Sequence, residues 1–305
     1  MSTSSKLLVV AIDFGTTYSG YAYSFKHQYD TDPLIPCTDS WARDSRSLVS
    51  LKTPTCVLFD KDKMFDSFGY EAEDKYSELA EEEEHQEWYF FRRFKMSLFN
   101  KEKRLSEDVK IKSTDGKEMT AIHVFSAAIK FLRGHLLDTL EKRATGVRET
   151  DIQWVLTVPA IWDDAAKQFM RVAAEKADIC GDQLLIVTEP EAVFSYYMHK
   201  ETRDGRKYCS SMGTGTKCMV VIAEDVGFEI AVYDVHHKRI LRKHFSALNF
   251  DWGGNKVDAS CCTLLTDIVG DNVMKAFITE CEDDFNDFLH QFEITKRAIH
   301  PEKNW

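Results

Sequence analysis

No C-x-x-C pair and no regular cysteine framework occur in this sequence, so its eight cysteines outline neither a zinc site nor a disulfide scaffold. Cys261 and Cys262 are adjacent, which suits neither role. Reduced thiols in a cytoplasmic protein account for them, and a cytoplasmic location is expected. No Asn-x-Ser/Thr sequon is present. No apolar run approaches the roughly 20 residues that span a bilayer, so no membrane span is expected. The N-terminal apolar run, Leu7 to Ile12, is too short for a secretion-signal core and is stopped by Asp13. Positive charge is also short: 39 Lys and Arg against 50 Asp and Glu give a formal net charge of -11. That argues against a broad footprint on a phosphate backbone, and no nucleic-acid partner is expected. What is present is an ordinary folded composition, 44% hydrophobic and 29% charged over 305 residues, enough for two domains or one large one.

The stretch Leu7 to Phe25, LLVVAIDFGTTYSGYAYSF, has the most structure in it. The unbroken apolar run predicts a strand buried on both faces. The alternating Tyr21, Tyr23 and Phe25 predict a second, half-buried strand. Between them, Gly15, Thr16 and Thr17 form a tight polar turn that can aim N–H groups and hydroxyls at an anion. Asp13, at the strand end, is placed to hold a Mg²⁺ ion through water. Taken alone, the stretch reads rather as an ordinary hairpin with a glycine in its turn.

Further along, Asp30 to Ser50 is polar, carries Pro33 and Pro36, and reads as an exposed loop. Short strands are expected at Thr55–Asp60 and Met64–Gly69, then an acidic helix over Glu71–Glu87 whose run Glu81–Glu84 reads as a solvated face. Arg92, Arg93 and Lys95 lie inside the aromatic cluster Trp88–Phe99, where the rings pack and one cation faces a cleft. Thr114–Lys117 is a hairpin-turn signal. Apolar spacing from Ile122 to Leu140 predicts an amphipathic helix over Thr120–Lys142. Ile152–Val158 and Leu184–Val187 are buried strands. Asp163 and Asp164 start a helix through Ile179 that Gly181 ends, and Glu189-Pro190-Glu191 opens another. Strand, helix, strand, helix marks an α/β unit with parallel strands. Lys200–Lys217 reads as a polar loop, and its GTGTK lacks the spacing of a P-loop. A second strand–turn–strand lies at Cys218–Ala223 and Gly227–Tyr233. Asp251–Gly254 is a turn, and two helices follow, Lys256–Phe277 and Asp284–Ile299.

Four features then recur in a meaningful order: Asp13-Phe-Gly-Thr-Thr, Thr157-Val-Pro-Ala160, Thr188-Glu-Pro-Glu191 and Glu293-Ile-Thr-Lys-Arg297. In this combination the sequence resembles the nucleotide-binding domain of the heat-shock 70 chaperones, within the actin/hexokinase-like ATPase superfamily. Phe94-Lys-Met, Thr157–Trp162, Phe292-Glu-Ile and Lys296-Arg look more like its divergent heat shock 70 kDa protein 12 branch. The resemblance runs from about residue 6 to residue 305. It implies an α/β, actin-like (ribonuclease H-like) ATPase fold with two lobes around a central nucleotide cleft. The first lobe would cover 1–186, with an inserted subdomain at about 30–118. The second would cover 187–305 and be incomplete, stopping before the family's final adenosine loop, with no peptide-binding domain.

The same resemblance implies ATP or ADP with Mg as the ligand, and protein partners of the co-chaperone kind. Asp13 would sit on the metal shell, with Gly15, Thr16, Thr17 and Tyr18 around the β- and γ-phosphates. Glu189 would order the metal's water. Glu293, Lys296 and Arg297 would clamp the adenosine; on spacing alone they read as a surface i,i+4 ion pair. The family's cleft lysine maps onto Arg93, Phe94 or Lys95, with Lys95 preferred. The second phosphate hairpin departs from the family pattern: Ile222-Ala-Glu-Asp-Val-Gly227 stands where an Asp, three glycines and a hydroxyl are usual, and Gly227 is its one glycine. Two carboxylates and extra side chains oppose a polyphosphate there. The expected function is therefore a nucleotide-binding domain with weakened binding and lost ATPase activity. A nucleotide-independent scaffold is the alternative. A small-molecule kinase ranks last, because the sequence shows neither a sugar-type pocket nor an intact second loop.

Overall fold

The computed structural model describes residues 6–43, 46–98, 106–143, 145–204, 213–225, 227–236, 241–249 and 252–299. The chain forms two compact units, one from residues 1–221 and 230–247, the other from 222–229 and 248–305. Among the described residues no helix is long and apolar enough to cross a membrane.

The first unit opens with the antiparallel hairpin β1 (Leu8–Phe14) and β2 (Tyr18–Phe25), followed by the short helix α1 (Lys26–Thr31). Short strands β3 (Cys37–Thr38), β4 (Trp41–Arg43), β5 (Arg46–Ser50) and β6 (Thr53–Pro54) come next. Then follow β7 (Cys56–Phe59), β8 (Phe65–Phe68), α2 (Tyr70–Glu81) and β9 (Tyr89–Arg92). A short 3-10 turn at Phe94–Leu98 leads on to the hairpin β10 (Lys110–Lys112) and β11 (Glu118–Thr120) and the long helix α3 (Ala121–Lys142). The alternation β12 (Ile152–Val158), α4 (Asp164–Lys176), β13 (Leu184–Thr188) and α5 (Glu189–Asp204) completes the α/β part. A separate three-stranded sheet is built in order from β14 (Lys217–Ala223), β15 (Phe228–Val235) and β16 (Leu241–Asn249). Helices α6 (Gly254–Val269), α7 (Asp271–Glu280) and α8 (Glu282–Ala298) belong to the second unit.

The central sheet runs β13-β12-β1-β2-β3, with β6 also paired to β2. β1, β12 and β13 are parallel, with Ile12 opposite Leu156 and Val158 opposite Thr188. Leu8, Val10, Ile12 and Phe14 enter one core with Phe125, Ile129 and Leu132 of α3 and with Phe169 and Met170 of α4. Each such side chain stabilises by about 1.5–3 kcal/mol. Gly134 inside α3 costs only about 1 kcal/mol, so packing decides that this segment is one continuous helix. Burial on β1 alternates: Val9 is 46% exposed, and on β13 Leu185 is 53% exposed. The expectation of a strand buried on both faces is corrected, because the core lies on one side of these strands.

The hairpin turn is set by close approach. A Cβ on Gly15 would lie 2.1 Å from the Tyr18 carbonyl oxygen, so only glycine fits. Thr55 holds the turn from the neighbouring segment. Its N–H donates to the Thr17 carbonyl (2.8 Å), its hydroxyl donates to the Gly15 carbonyl (2.9 Å), and that hydroxyl also bonds Ser19 Oγ (2.7 Å).

Several expectations are corrected. Asp30–Ser50 is not an exposed loop: it contains β3, β4 and β5, and Trp41 is buried. The Trp41 ring stacks on His135 with centroids 4.2 Å apart and meets Tyr21 edge-on at 5.9 Å. α4 ends at Lys176, not at Ile179, because Asp178 takes the left-handed conformation (φ 64°) and turns the chain first. The loop expected from Lys200 starts later, since α5 runs to Asp204; residues 205–212 lie outside the described residues. The helix expected over Lys256–Phe277 is two helices, broken at Gly270 (φ 91°). The acidic run Glu82–Glu84 is exposed at the end of α2, as a solvated face should be.

Around Trp41, Tyr21 Oη bonds His135 Nδ1 (2.8 Å) and Thr139 donates to Asp39 Oδ2 (2.8 Å). Burial holds the His135 imidazole below its ordinary 6.5, with Lys142 acting the same way and Asp39 and Asp138 pulling upward. A base with a depressed pKa is neutral in the fold and takes up protons more readily unfolded, so its contribution is complete above 6.5 and fades as pH falls below it. Asp39, which burial pushes up but Thr139 and the Ser40 N–H bring down, loses its contribution only as pH drops through the carboxylate range. The thermal midpoint should therefore fall between pH 6.5 and 5, and His135→Gln should flatten that slope; an equal slope in the variant would show that His135 is not the group responsible. Gly15→Ala should cost about 2 kcal/mol or more, read as a drop in thermal midpoint of about 3 °C or more.

Candidate functional site

In parallel α/β sheets, ligands gather at the carboxyl ends of the strands. In the first unit those ends carry Asp13 on β1, Thr157 on β12 and Glu189 directly after β13. Thr157 Oγ1 donates to Asp13 Oδ1 (3.0 Å), which orients the carboxylate. Glu191 Oε2 accepts from both the N–H (2.9 Å) and the hydroxyl (2.7 Å) of Thr188 and closes the start of α5. The neighbouring Glu189 is left to face Lys95.

Lys95 is 1% exposed, and its ammonium donates to Glu189 Oε1 at 2.5 Å. It also lies over the Trp162 ring, 6.0 Å from the centroid. The buried Trp162 indole N–H has no acceptor among the described residues. Aromatic packing fixes where Lys95 sits. Phe94, the preceding residue, meets Phe14 at 6.1 Å and Phe125 at 5.0 Å, and Phe14 in turn stacks on Phe125 at 5.7 Å. Phe14 follows Asp13, so one ring cluster underlies both the carboxylate and the buried ammonium. Of the three residues onto which a cleft lysine maps, Arg93 is exposed, Phe94 is in the core, and Lys95 reaches Glu189.

Sequence reasoning missed Lys52. Its ammonium donates to Asp13 Oδ2 at 2.5 Å, and both side chains are about half exposed (46% and 44%). Backbone register explains the reach. Asp13 pairs with Gly20 across the hairpin, and β6 pairs with β2 next door, Thr53 against Ser19. A Cβ on Gly20 would meet the Leu51 carbonyl at 2.8 Å and Lys52 Cγ at 3.2 Å. The missing side chain is the groove through which Lys52 crosses to Asp13. Nothing in the local sequence marks an isolated lysine before Thr53-Pro54 for this role; the signal is the cross-strand pairing. Burial pushes the Asp13 carboxyl up, but Lys52, Lys95 and the Thr157 hydroxyl outweigh it and hold it below the usual value.

The hairpin residues Gly15, Thr16, Thr17 and Tyr18 lie together at this end, with Thr16 buried and Thr17 and Tyr18 half-buried. A divalent ion does not fit Asp13 as it stands. One carboxylate oxygen accepts from Lys52 and the other from Thr157, and Glu189 is taken by Lys95. Two carboxylates are balanced by two ammonium groups, and among the described residues no group of three or more His, Cys, Asp or Glu could hold a metal.

The second unit carries the other expected residues. Glu224 N–H donates to the Gly227 carbonyl (2.8 Å), closing a tight turn; Val226 lies outside the described residues. The carbonyls of Glu224 and Asp225 accept from the N–H groups of Gly254 (3.1 Å) and Asn255 (2.8 Å), the first amides of α6. The donors that a helix N-terminus offers to an anion are thus bonded within the chain. Lys296 donates to Asp258 (2.7 Å), pairs with Glu293 one turn away, and contacts the Gly254 carbonyl at 3.4 Å. Burial lowers the Lys296 pKa, but Asp258 and Glu293 raise it more, so the net shift is upward. Asp258 was not foreseen. The side chain of Arg297 lies outside the described residues.

No protein-family model matches the chain. It is 30% identical to mouse heat shock 70 kDa protein 12A over 97% of this chain and 51% of that protein, and 31% identical to the human 12A protein over 98% and 51%. It is 43% identical to human heat shock 70 kDa protein 12B over 62% of this chain and 28% of that protein. The chain spans about half the length of the 12A relatives and less of the 12B protein. With these relatives, and with the order of motifs from Asp13 to Lys296, the chain belongs to the heat shock 70-like family in its 12A/12B branch.

Proposed function

We propose that this chain is a nucleotide-binding-type domain of actin-like ATPase fold that takes the phosphates of ATP or ADP weakly at the Asp13–Tyr18 hairpin and does not hydrolyse them efficiently. The single observation that carries this reading is the convergence of the Gly15 turn, Asp13, Thr157 and the buried Lys95–Glu189 pair at the carboxyl ends of three parallel strands. Hydrolysis needs a positioned water and a polar group that orients it. Ile222 stands where the resemblance implies a second Asp, and Asp13 is engaged by Lys52, so neither position offers an open carboxylate for Mg. Glu293 and Lys296 would border the adenosine. The free thiols among the described cysteines suit a cytoplasmic protein.

A second reading, a nucleotide-independent scaffold that binds protein partners, is favoured by one feature: the amides at the start of α6 are bonded to the chain's own turn. Titration of ATP and ADP, with thermal denaturation as readout, separates the two. Nucleotide at 100 times Kd should stabilise by about 2.7 kcal/mol; no shift at millimolar nucleotide would leave the scaffold. Glu224→Gly combined with Asp225→Gly removes two carboxylates from the second loop and should tighten binding about tenfold. Unchanged or weaker affinity would overturn the repulsion argument.

A further inference from the structure

We propose that Lys52 takes the place of a divalent cation at Asp13, so that the hairpin receives a nucleotide's phosphates without metal. This rests on the hairpin being a phosphate site. The role of a metal there is to put positive charge between a carboxylate and the ligand's oxygens. Lys52 already does so with an ammonium tethered to the chain and bonded to Asp13 Oδ2. Lysine binds phosphate as a point charge and needs no coordination geometry. Mg²⁺ demands a near-octahedral shell and keeps most of its water. Here it would find Asp13 Oδ2 and Oδ1 both accepting hydrogen bonds, and two ammonium groups, Lys52 and Lys95, acting on the same carboxylate.

The arrangement is built into the backbone. Gly20, opposite Asp13, leaves the space that Lys52 crosses, and the Ser19–Thr53 pairing of β2 with β6 fixes where Lys52 leaves the strand. Lys52→Met keeps an unbranched side chain only one atom shorter and removes its charge. Gly20→Ala keeps the lysine and closes its path, since the added Cβ would meet the Leu51 carbonyl and Lys52 Cγ.

The first measurement needs no nucleotide. Mn²⁺ binding, followed by the electron paramagnetic resonance signal of the free ion, should be about tenfold tighter in Lys52→Met than in the natural chain. Asp13→Asn in the same background should abolish the gain. Gly20→Ala should move binding in the same direction, which guards against a folding artefact in either variant. The second measurement is ATP affinity with EDTA and with Mg²⁺. The natural chain should bind equally in both, whereas Lys52→Met should require Mg²⁺. Equal Mn²⁺ affinity in the natural chain and Lys52→Met would overturn the proposal, as would a natural chain that binds ATP only with Mg²⁺. If no form binds ATP but the Mn²⁺ contrast stands, Lys52 keeps its place as the cation at Asp13 and the nucleotide reading falls instead.

Discussion

The parallel pairing of β1 with β12 and of β12 with β13 sets everything at the Asp13 end. Parallel neighbours bring the ends of distant segments into one row, so residues 13, 157 and 189 become neighbours although they are far apart in sequence. That pairing persists because one face of the strands is covered by α3 and α4. Phe14, Phe94 and Phe125 then transmit the order of the core to the polar groups above it. Asp13 and Lys95 each follow or precede a ring in that cluster, so neither can shift without disturbing buried aromatic contacts worth about 0.5–1.5 kcal/mol a pair beyond their area.

Charge balance is the second organising constraint. A buried ammonium such as Lys95 is tolerable only with a partner, and Glu189 supplies it. Asp13 is less buried and has two partners of different kinds, a cation and a hydroxyl. The result is a locally neutral cluster inside a chain of net charge -11. Lys296 in the second unit is arranged differently, one cation between two carboxylates, Asp258 and Glu293.

What could be read from the sequence was what repeats locally. The apolar spacing of Ile122 to Leu140 is a helix signal with many independent votes, and α3 occupies nearly that span. Strands β12 and β13 are short apolar runs with clear stops, and Asp163 caps α4 by accepting from Ala166 N–H at 2.8 Å. Where structure comes from partners distant in sequence, local pattern says nothing. Trp41 is buried because His135 and Tyr21 lie against it, and no neighbour of Trp41 in sequence announces either. β16 went unforeseen because Leu241–Asn249 mixes Arg, Lys and His with apolar residues and is a strand by virtue of pairing with β15. Lys52 and Asp258 belong to the same class: each matters through one long-range ion pair. The motifs single out Asp13, Thr157, Lys95 and Glu189 by name; the cation Lys52, which bonds Asp13, lies outside all of them.

The turn at Glu224–Gly227 has a consequence for communication between ligand and fold. A helix whose first amides are unbonded is stabilised when an anion arrives, and its position can report on the ligand. The first amides of α6 are already bonded to the carbonyls of Glu224 and Asp225. An anion would have to break those bonds to make its own, so the free energy it could transmit through α6 shrinks toward zero. The bonds run through the backbone carbonyls of residues 224 and 225, so α6 carries a cap of its own and is poorly placed to act as a sensor.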